Sequence, residues 1–496
     1  MKAFILSLLL IVALNSPILN AQQGSVLFND ATLHEIRIDN VDTTTFFLQQ
    51  NKGVYSMTTV TIDGTTIDSA GATTKGNISW THPNNKRPMK IKLNNFVSGK
   101  KYDGIKEFYL HNSYGDPSLM REKLTYDICS QMGLHSLRAA FAKVYINNVY
   151  WGVFTLLEAK DELYKRDFAN RDAEVYESFD LGSLCVFSQD PMDWAVDNGN
   201  PSPGWPRFQM LTNKLANTSS GDYMDTIPEY FNITDFFKYQ AVNVYLLNFD
   251  SYLAYNGNQL YLFDSINENR FQIIPWDFNA SFGLWNTNNY NPNTLPIIPS
   301  SLTIKCPFNK INSVPYLRNV YLDAMCSMVN LYCDTLTLNT KITFYYNLIR
   351  NAAYSDSRKE PTNSQFDLGA NYGYQNYLND NVPGLKTFVI ERWNKITTDL
   401  QSLPYACTTG IKTPDNSQQL IIYPNPATSI LTIQQGITGY ARYSIINMTG
   451  QEVQTGELQQ SGAVISVGDL PDGVYVVQVT DSEQKIFQQK FMKVSE

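Results

Sequence analysis

"IIPWDFNASFG", residues 273–283, decides how the rest of the chain is read. Ile273 and Ile274 close a short apolar run that reads as a buried strand. Pro275 has no amide proton to give a ladder, so the strand ends there and the next residues turn out of the sheet. Asp277 therefore stands just past a strand end, where a carboxylate can reach into a cleft. Upstream, the run Leu260 to Phe263 is the partner strand, joined through a polar turn at 265–270. Before it, the apolar helix-like stretch "ITDFFKYQAVNVYLLNF" leads to Asp250, and Asn258 follows.

An acid, then an amide, then an acid on a strand pair is the order in which kinases place an acceptor-orienting base and two metal ligands. Two carboxylates and an amide oxygen form a hard-oxygen donor set of the kind Mg2+ takes.

The chain has 496 residues, 43% apolar, 17% charged and 13% aromatic, which is globular and enough for two or three domains. A net charge of −8 argues against a nucleic-acid partner, whose phosphates require clustered Lys and Arg. Residues 1–21 read as a signal peptide: Lys2, an apolar run from Ala3 to Leu14, and a small residue at Ala21. That run is shorter than the ~20 residues a membrane span needs, and no later stretch is long enough. The six cysteines follow no paired CxxC framework, so zinc is not expected; disulfides are, although spacing cannot pair them.

Residues 22–410 divide into a β-rich first part and a mostly helical second part. The first holds a helix over 118–133, capped by Ser118 and stopped by Gly133, and a hairpin turning at Asn147 and Asn148. Helical periodicity dominates from about 205 to 250 and from 315 to 400. This is an α+β plan with two lobes and a cleft between them. A linker at 411–419 leads into 420–496, where short alternating strands broken by Gly, Pro and Asn predict a small all-β sandwich.

The blocks "YPNPATSILTI" (423–433), "NMTGQEV" (447–453), "LPDGVYVVQV" (470–479) and "QKFMKV" (489–494) resemble the type IX secretion C-terminal sorting domain of Bacteroidetes. That resemblance implies handling by the type IX machinery and a secreted or cell-surface location. The body resembles the CotH (spore coat protein H) kinase family. It does so through "GNISWTHPNNKRPMKIKL" (76–93), "NSYGDPSLMREKLTYDICSQMGL" (112–134), "AKVYINNVYWGVFTLLEAKD" (142–161) and "IIPWDFNASFG", in family order. The resemblance implies an atypical protein-kinase-like fold that uses ATP and Mg2+ to phosphorylate Ser or Thr hydroxyls of an exported protein.

On that resemblance, Asp277 holds metal with Asn258 (or its neighbour Asn256), and Asp250 orients the acceptor hydroxyl. Lys90 or Lys92 reaches the phosphates; strand alternation puts both on one face and cannot choose between them. Gly76 and Asn77 form a phosphate-approaching turn, Arg121 or Glu122 pairs with a phosphate or with the phosphate-binding lysine, and Glu158 contacts base or ribose. The chain departs from the family pattern at Lys75, where an Arg is usual, and at Asn279, where a second acid is usual. The first loses a bidentate fork; the second removes a negative charge from the metal site. Those departures define the alternative, a catalytically weak or inactive surface or coat protein that binds a protein or polysaccharide through the same cleft.

Hydrolase readings have little support. HExxH and GxSxG are absent, as is any compact Cys/His pair. A glycosidase could use paired acids, with Trp194 and Trp205 as a sugar platform.

Overall fold

The computed structural model describes residues 22–494 except 170–173, 179–181, 191–192, 199–200, 253–259, 266, 285–293, 301–304, 376–380, 408–419, 435–440, 448–450, 459–462 and 482–485. The signal peptide, the linker 411–419, and Asn256 and Asn258 lie outside the described residues.

Seven strands form a closed barrel: β1 (Leu33–Asp39), β2 (Ser56–Ile62), β3 (Thr65–Thr74), β4 (Met89–Lys92), β5 (Glu107–His111), β6 (Ala139–Ile146) and β7 (Val149–Glu158). The order is β1-β2-β3-β4-β5-β7-β6, and β6 closes the ring by running parallel to β1. Alternation dictates what fills it. Ile36 and Ile38 of β1 and Met89 and Ile91 of β4 are buried in the interior, while Lys90 and Lys92 point outward together. The β6–β7 hairpin turns at Asn147 and Asn148, both with positive φ, the left-handed conformation Asn tolerates.

A second and larger core joins the helix Arg121–Gln131 to the helices Ile233–Tyr245, Pro315–Ser327, Thr335–Ser355 and Leu385–Ser402. It also includes a four-stranded sheet of β8 (Val175–Ser178), β9 (Trp194–Asn198), β10 (Leu260–Ser265) and β11 (Arg270–Pro275), in the order β11-β10-β8-β9. Leu260 pairs with Pro275, so the expected strand pair is present and Pro275 is its last residue. The class is α+β. Residues 421–493 form an all-β region of a three-stranded and a four-stranded sheet closing over Leu431, Ile445, Val477 and Phe491.

One local expectation needs correction, and two points left open by the sequence are filled in. The helix expected over 118–133 runs over Arg121–Gln131, and Asp116 rather than Ser118 takes its first amide: the Asp116 carboxylate accepts from Arg121 N–H at 2.9 Å and from Ser118 N–H at 2.9 Å. A carboxylate offers two acceptor oxygens and a full charge to the helix start, and the hydroxyl offers less. Trp194 is no sugar platform, since it is 1% exposed and packs edge-on to Phe208, and Trp205 packs against the same ring. Four cysteines are bridged, Cys185 to Cys306 and Cys326 to Cys407, whereas Cys129 and Cys333 are buried thiols.

The barrel is fastened to the helical body by one buried acid. Asp356, at the end of the helix Thr335–Ser355, accepts from Lys86 Nζ at 2.7 Å and from the amides of Val153 (3.1 Å), Arg358 (2.9 Å) and Lys359 (3.0 Å). Lys86 and Asp356 have no exposed side-chain surface. Gly152 makes room for them: its φ is +123°, and a Cβ there would lie 2.3 Å from Asp356 Oδ2. Removing one partner of a buried pair leaves the other charge uncompensated, so Asp356→Ala is expected to cost about 3–5 kcal/mol. Denaturant unfolding of the full chain checks this, and a loss under about 1 kcal/mol, the scale of an exposed pair, contradicts it.

Candidate active site

Between the barrel and the helical body lies a cleft of about 810 Å³. The barrel supplies Lys75, Gly76 and Asn77 after β3, Lys90 on β4 and His111 at the end of β5. The body supplies Glu122, Glu177, Asp250, Trp276, Asp277 and Asn279, and Lys160 and Asp161 follow β7 where the two parts meet.

The loop after β3 is held open by its own geometry. Gly76 has φ +93°, and a Cβ there would meet Ser79 Oγ at 2.5 Å and Pro88 Cγ at 3.1 Å. Lys52 donates to Gly76 O at 3.0 Å, and the buried Asn112 amide donates to Ser79 O (2.9 Å) and Lys86 O (2.7 Å). Asp277 also takes a left-handed φ, +56°, uncommon outside glycine, which turns its carboxyl off the line of β11. Its amide donates to Tyr126 O–H at 3.3 Å, and Phe278 packs edge-on to the Tyr126 ring. Trp276 stands edge-on to Tyr109, His111 and Tyr261 and forms the aromatic wall of the cleft.

Charge is concentrated here. Burial, then the neighbouring Glu122 and Asp250 carboxylates, pushes Asp277 up from 3.8 to about 8, with Lys75 opposing. Burial pulls Lys75 down from 10.5 to about 8, helped by Lys160 and opposed by Asp277 and Glu122. Lys75 Nζ donates to His111 Nε2 at 2.9 Å, and His111 Nδ1 contacts Glu122 Oε1 at 2.8 Å. Burial, then Lys75, holds the imidazole below its ordinary pKa against the pull of Glu122. Lys75 also lies over the Tyr109 and Trp276 rings, at 4.3 and 4.9 Å.

Of the residues singled out in the sequence, Asp250, Asp277, Asn279, Gly76, Asn77 and Lys90 line this one cleft. Three do not. Lys92 is outside the lining, two residues along β4 from Lys90, where the strand has passed the cleft. Arg121 has no exposed surface; its guanidinium is spent on Asp116, Ser118 and Pro383 O, and its neighbour Glu122 faces the cleft instead. Glu158 is fully buried between Arg138 and Arg166, a salt bridge beneath the cleft rather than a ligand contact. Sequence reading passed over His111, Lys160, Asp161 and Glu177. His111 ends a strand that alternates visibly, and "KD" directly follows a strand end, which are the signals that could have marked them.

The donor set suits a hard cation. Asn279 donates its amide to Tyr114 O at 3.1 Å, which fixes its orientation, and its buried Oδ1 accepts no hydrogen bond. Asp277, two residues earlier, lines the same cleft, its carboxyl pushed up by burial and then by Glu122 and Asp250. Among the described residues no three His, Cys, Asp or Glu side chains gather closely enough to hold a metal by themselves. Mg2+ does not need that, since it is commonly held by one or two protein oxygens together with phosphates and water.

The CotH kinase protein family model matches residues 72–396, about two thirds of the chain. The chain belongs to the CotH kinase family. A secretion system C-terminal sorting domain matches residues 421–493, which assigns this CotH kinase protein to secretion or the cell surface. Inner spore coat protein H of Bacillus subtilis is 25% identical over 197 residues, 38% of this chain and 53% of that protein. Invasin CotH7 of Rhizopus delemar is 22% identical over 187 residues, 36% of this chain and 31% of that one. The chain thus spans about half the length of the first relative and about a third of the second. A Helicobacter pylori proinflammatory kinase, CtkA, aligns at 9% identity over 64% of this chain and 92% of its own with a TM-score of 0.29, too loose a superposition to establish a shared fold. No helix among the described residues is long and apolar enough to cross a membrane.

A carboxyl whose folded pKa is raised costs stability as pH rises from its unfolded value to its folded one. For Asp277 that window runs from 3.8 to about 8. Asp277→Asn is therefore expected to raise the Tm of the metal-free protein, with no gain near pH 4, a gain growing through the window, and its full value above it. The scale is about 2–4 °C per kcal/mol of relieved repulsion. Calorimetry across pH checks this, and a gain that does not vary with pH contradicts it.

Proposed function

We propose that this protein is an exported atypical kinase that transfers the γ-phosphoryl group of ATP to a Ser or Thr hydroxyl of another exported protein. The observation that carries this reading is the convergence of Asp250, Asp277 and Asn279 with Lys75 and Lys90 on one cleft, in a chain of the CotH kinase family. In this reading the barrel and the helical body act as the two lobes of a kinase, with the nucleotide between them. The sorting domain fits passage through a type IX machinery, and the linker 411–419 separates it from the kinase domain.

Asp277 and Asn279 are the residues that would hold Mg2+, which would supply positive charge to offset that of the phosphates. Lys75 contacts the His111 ring and, among the described residues, forms no direct ion pair with a carboxylate, so its ammonium is available to a phosphate. Lys90 is held by Glu107 at 2.6 Å and contributes charge from the neighbouring strand. Gly76 and Asn77 let backbone come close to phosphate oxygens. Asp250 orients the acceptor hydroxyl and takes its proton as the new O–P bond forms. The aromatic wall and the neighbouring acids exclude water and aim the groups, so the catalysis is positioning and charge neutralisation.

The full secreted chain, incubated with radiolabelled ATP, Mg2+ and a mixture of exported proteins, is expected to label an acceptor or itself. Asp250→Ala is expected to slow labelling by about 10²–10⁴-fold, the usual contribution of a positioned base. Asp277→Ala is expected to lose labelling at Mg2+ concentrations that saturate the wild type. A folded Asp277→Ala chain that labels as well as the wild type overturns the assignment. Asn279 in place of an acid favours the second reading, a surface protein that binds without catalysis. Absence of any binding heat for ATP and Mg2+ at millimolar concentration would decide for it.

A further inference from the structure

Asp250 stands on a short segment that leaves the helix Ile233–Tyr245 through Leu247, whose φ is +46°. On its upstream side the segment is tied to Asn248: Asp250 N–H donates to Asn248 Oδ1 at 3.3 Å, and Ser251 Oγ donates to Asn248 O at 2.8 Å. Its downstream anchor is Tyr252, which is 2% exposed. The Tyr252 hydroxyl accepts from Leu184 N–H at 3.0 Å and donates to Cys306 O at 2.7 Å, and Lys305 Nζ donates to Tyr252 O at 3.0 Å. Leu184 precedes Cys185, and Lys305 precedes Cys306. The Cys185–Cys306 disulfide, with Cα atoms 5.9 Å apart, thus joins the two segments that grip Tyr252 from either side.

We propose that the Cys185–Cys306 disulfide, acting through Tyr252, positions Asp250, so that phosphoryl transfer requires this disulfide and not the Cys326–Cys407 one. This rests on the acceptor-orienting role given to Asp250 above. A phenol accepting on one side and donating on the other is specified only while Leu184 and Cys306 stay a fixed distance apart, and the disulfide fixes that distance. When the bond is reduced the two segments are tied only through weak contacts, and Asp250 loses its downstream anchor. Because structural disulfides persist in oxidising compartments, the same link confines full activity to the exported protein.

The second disulfide is a built-in control. It ties the helix Pro315–Ser327 to Cys407 at the end of the helical body, and neither cysteine lines the cleft. Loop-closure entropy varies with the logarithm of loop length, so separations of 121 and 81 residues make the two losses nearly equivalent for global stability.

The experiment compares full secreted chains carrying Cys185→Ser with Cys306→Ser, Cys326→Ser with Cys407→Ser, Tyr252→Phe, and Asp250→Asn. The first pair is expected to lose roughly tenfold to a hundredfold in kcat, the scale of a small misplacement of a reacting group. KM for ATP should stay within about twofold, since nucleotide contacts are untouched. Tyr252→Phe, which keeps the ring, moves in the same direction, and the second cysteine pair leaves kcat near wild type. Dithiothreitol added to the folded Cys326→Ser, Cys407→Ser chain reproduces the loss: the remaining cystine takes up two electrons and two protons, and the reagent closes to its cyclic disulfide. Hydrogen exchange gives a readout apart from turnover, with the amides of 247–252 exchanging faster in the first pair and not in the second. Equal losses in both pairs, or an unchanged kcat in the first pair and in Tyr252→Phe while Asp250→Asn abolishes transfer, overturn the positioning proposal alone. Full transfer by Asp250→Asn, or none by the wild type, overturns the role of Asp250 and this proposal with it.

Discussion

Burial, and then the like charges of Glu122 and Asp250, make Asp277 costly to ionise in a partly dry cleft, and the rest of the site is arranged around that cost. Coulomb energy between like charges a few ångströms apart rises steeply as solvent is excluded. The protein meets it in part with Lys75, and in part by letting Asp277 keep a proton. The orphaned oxygen of Asn279 belongs to a residue that lines the same cleft. A cleft that stores uncompensated negative charge next to a lysine resting on a histidine ring is poised for a ligand that brings positive and negative charge together.

Holding such a cleft open requires stiffness behind it. The loop carrying Gly76 and Asn77 is braced by Asn112 from β5 and, through Lys86, by the Asp356 carboxylate. On the opposite wall the helix Arg121–Gln131 presents Glu122, while Arg121 turns away to Asp116 and Pro383. Arg121 and Glu158, which do not face the cleft, sit in buried ion pairs instead, which is one reason the sequence contains more candidates than the site uses.

How far the sequence could be read follows from the range of the forces involved. Strand endings, turns and alternation are local, so the β10–β11 pair, the place of Asp277 at its end and the all-β tail were legible. The pairing of a charge with a distant partner is not local. Arg121 and Glu158 looked like site residues because nothing within a few positions shows that Pro383, Arg138 and Arg166 claim them. Lys90 and Lys92 share a face, and only the course of β4 past the cleft separates them. His111 was passed over because an isolated histidine gains meaning only from Lys75 and Glu122, which fold against it from elsewhere in the chain.

The ring of β1 to β7 closes through the parallel contact of Leu33–Ile38 with Phe141–Ile146. During synthesis the first strand emerges early, and the strand that completes it is the sixth of the seven, so its outer edge waits uncovered while the intervening ones appear. Such non-local pairing is slow, and a bare edge invites another chain to add to it. Once the ring shuts, that hazard is gone for good, and a molecule destined for secretion or the cell surface arrives with no hydrogen-bonding seam left in its barrel for a neighbour to seize.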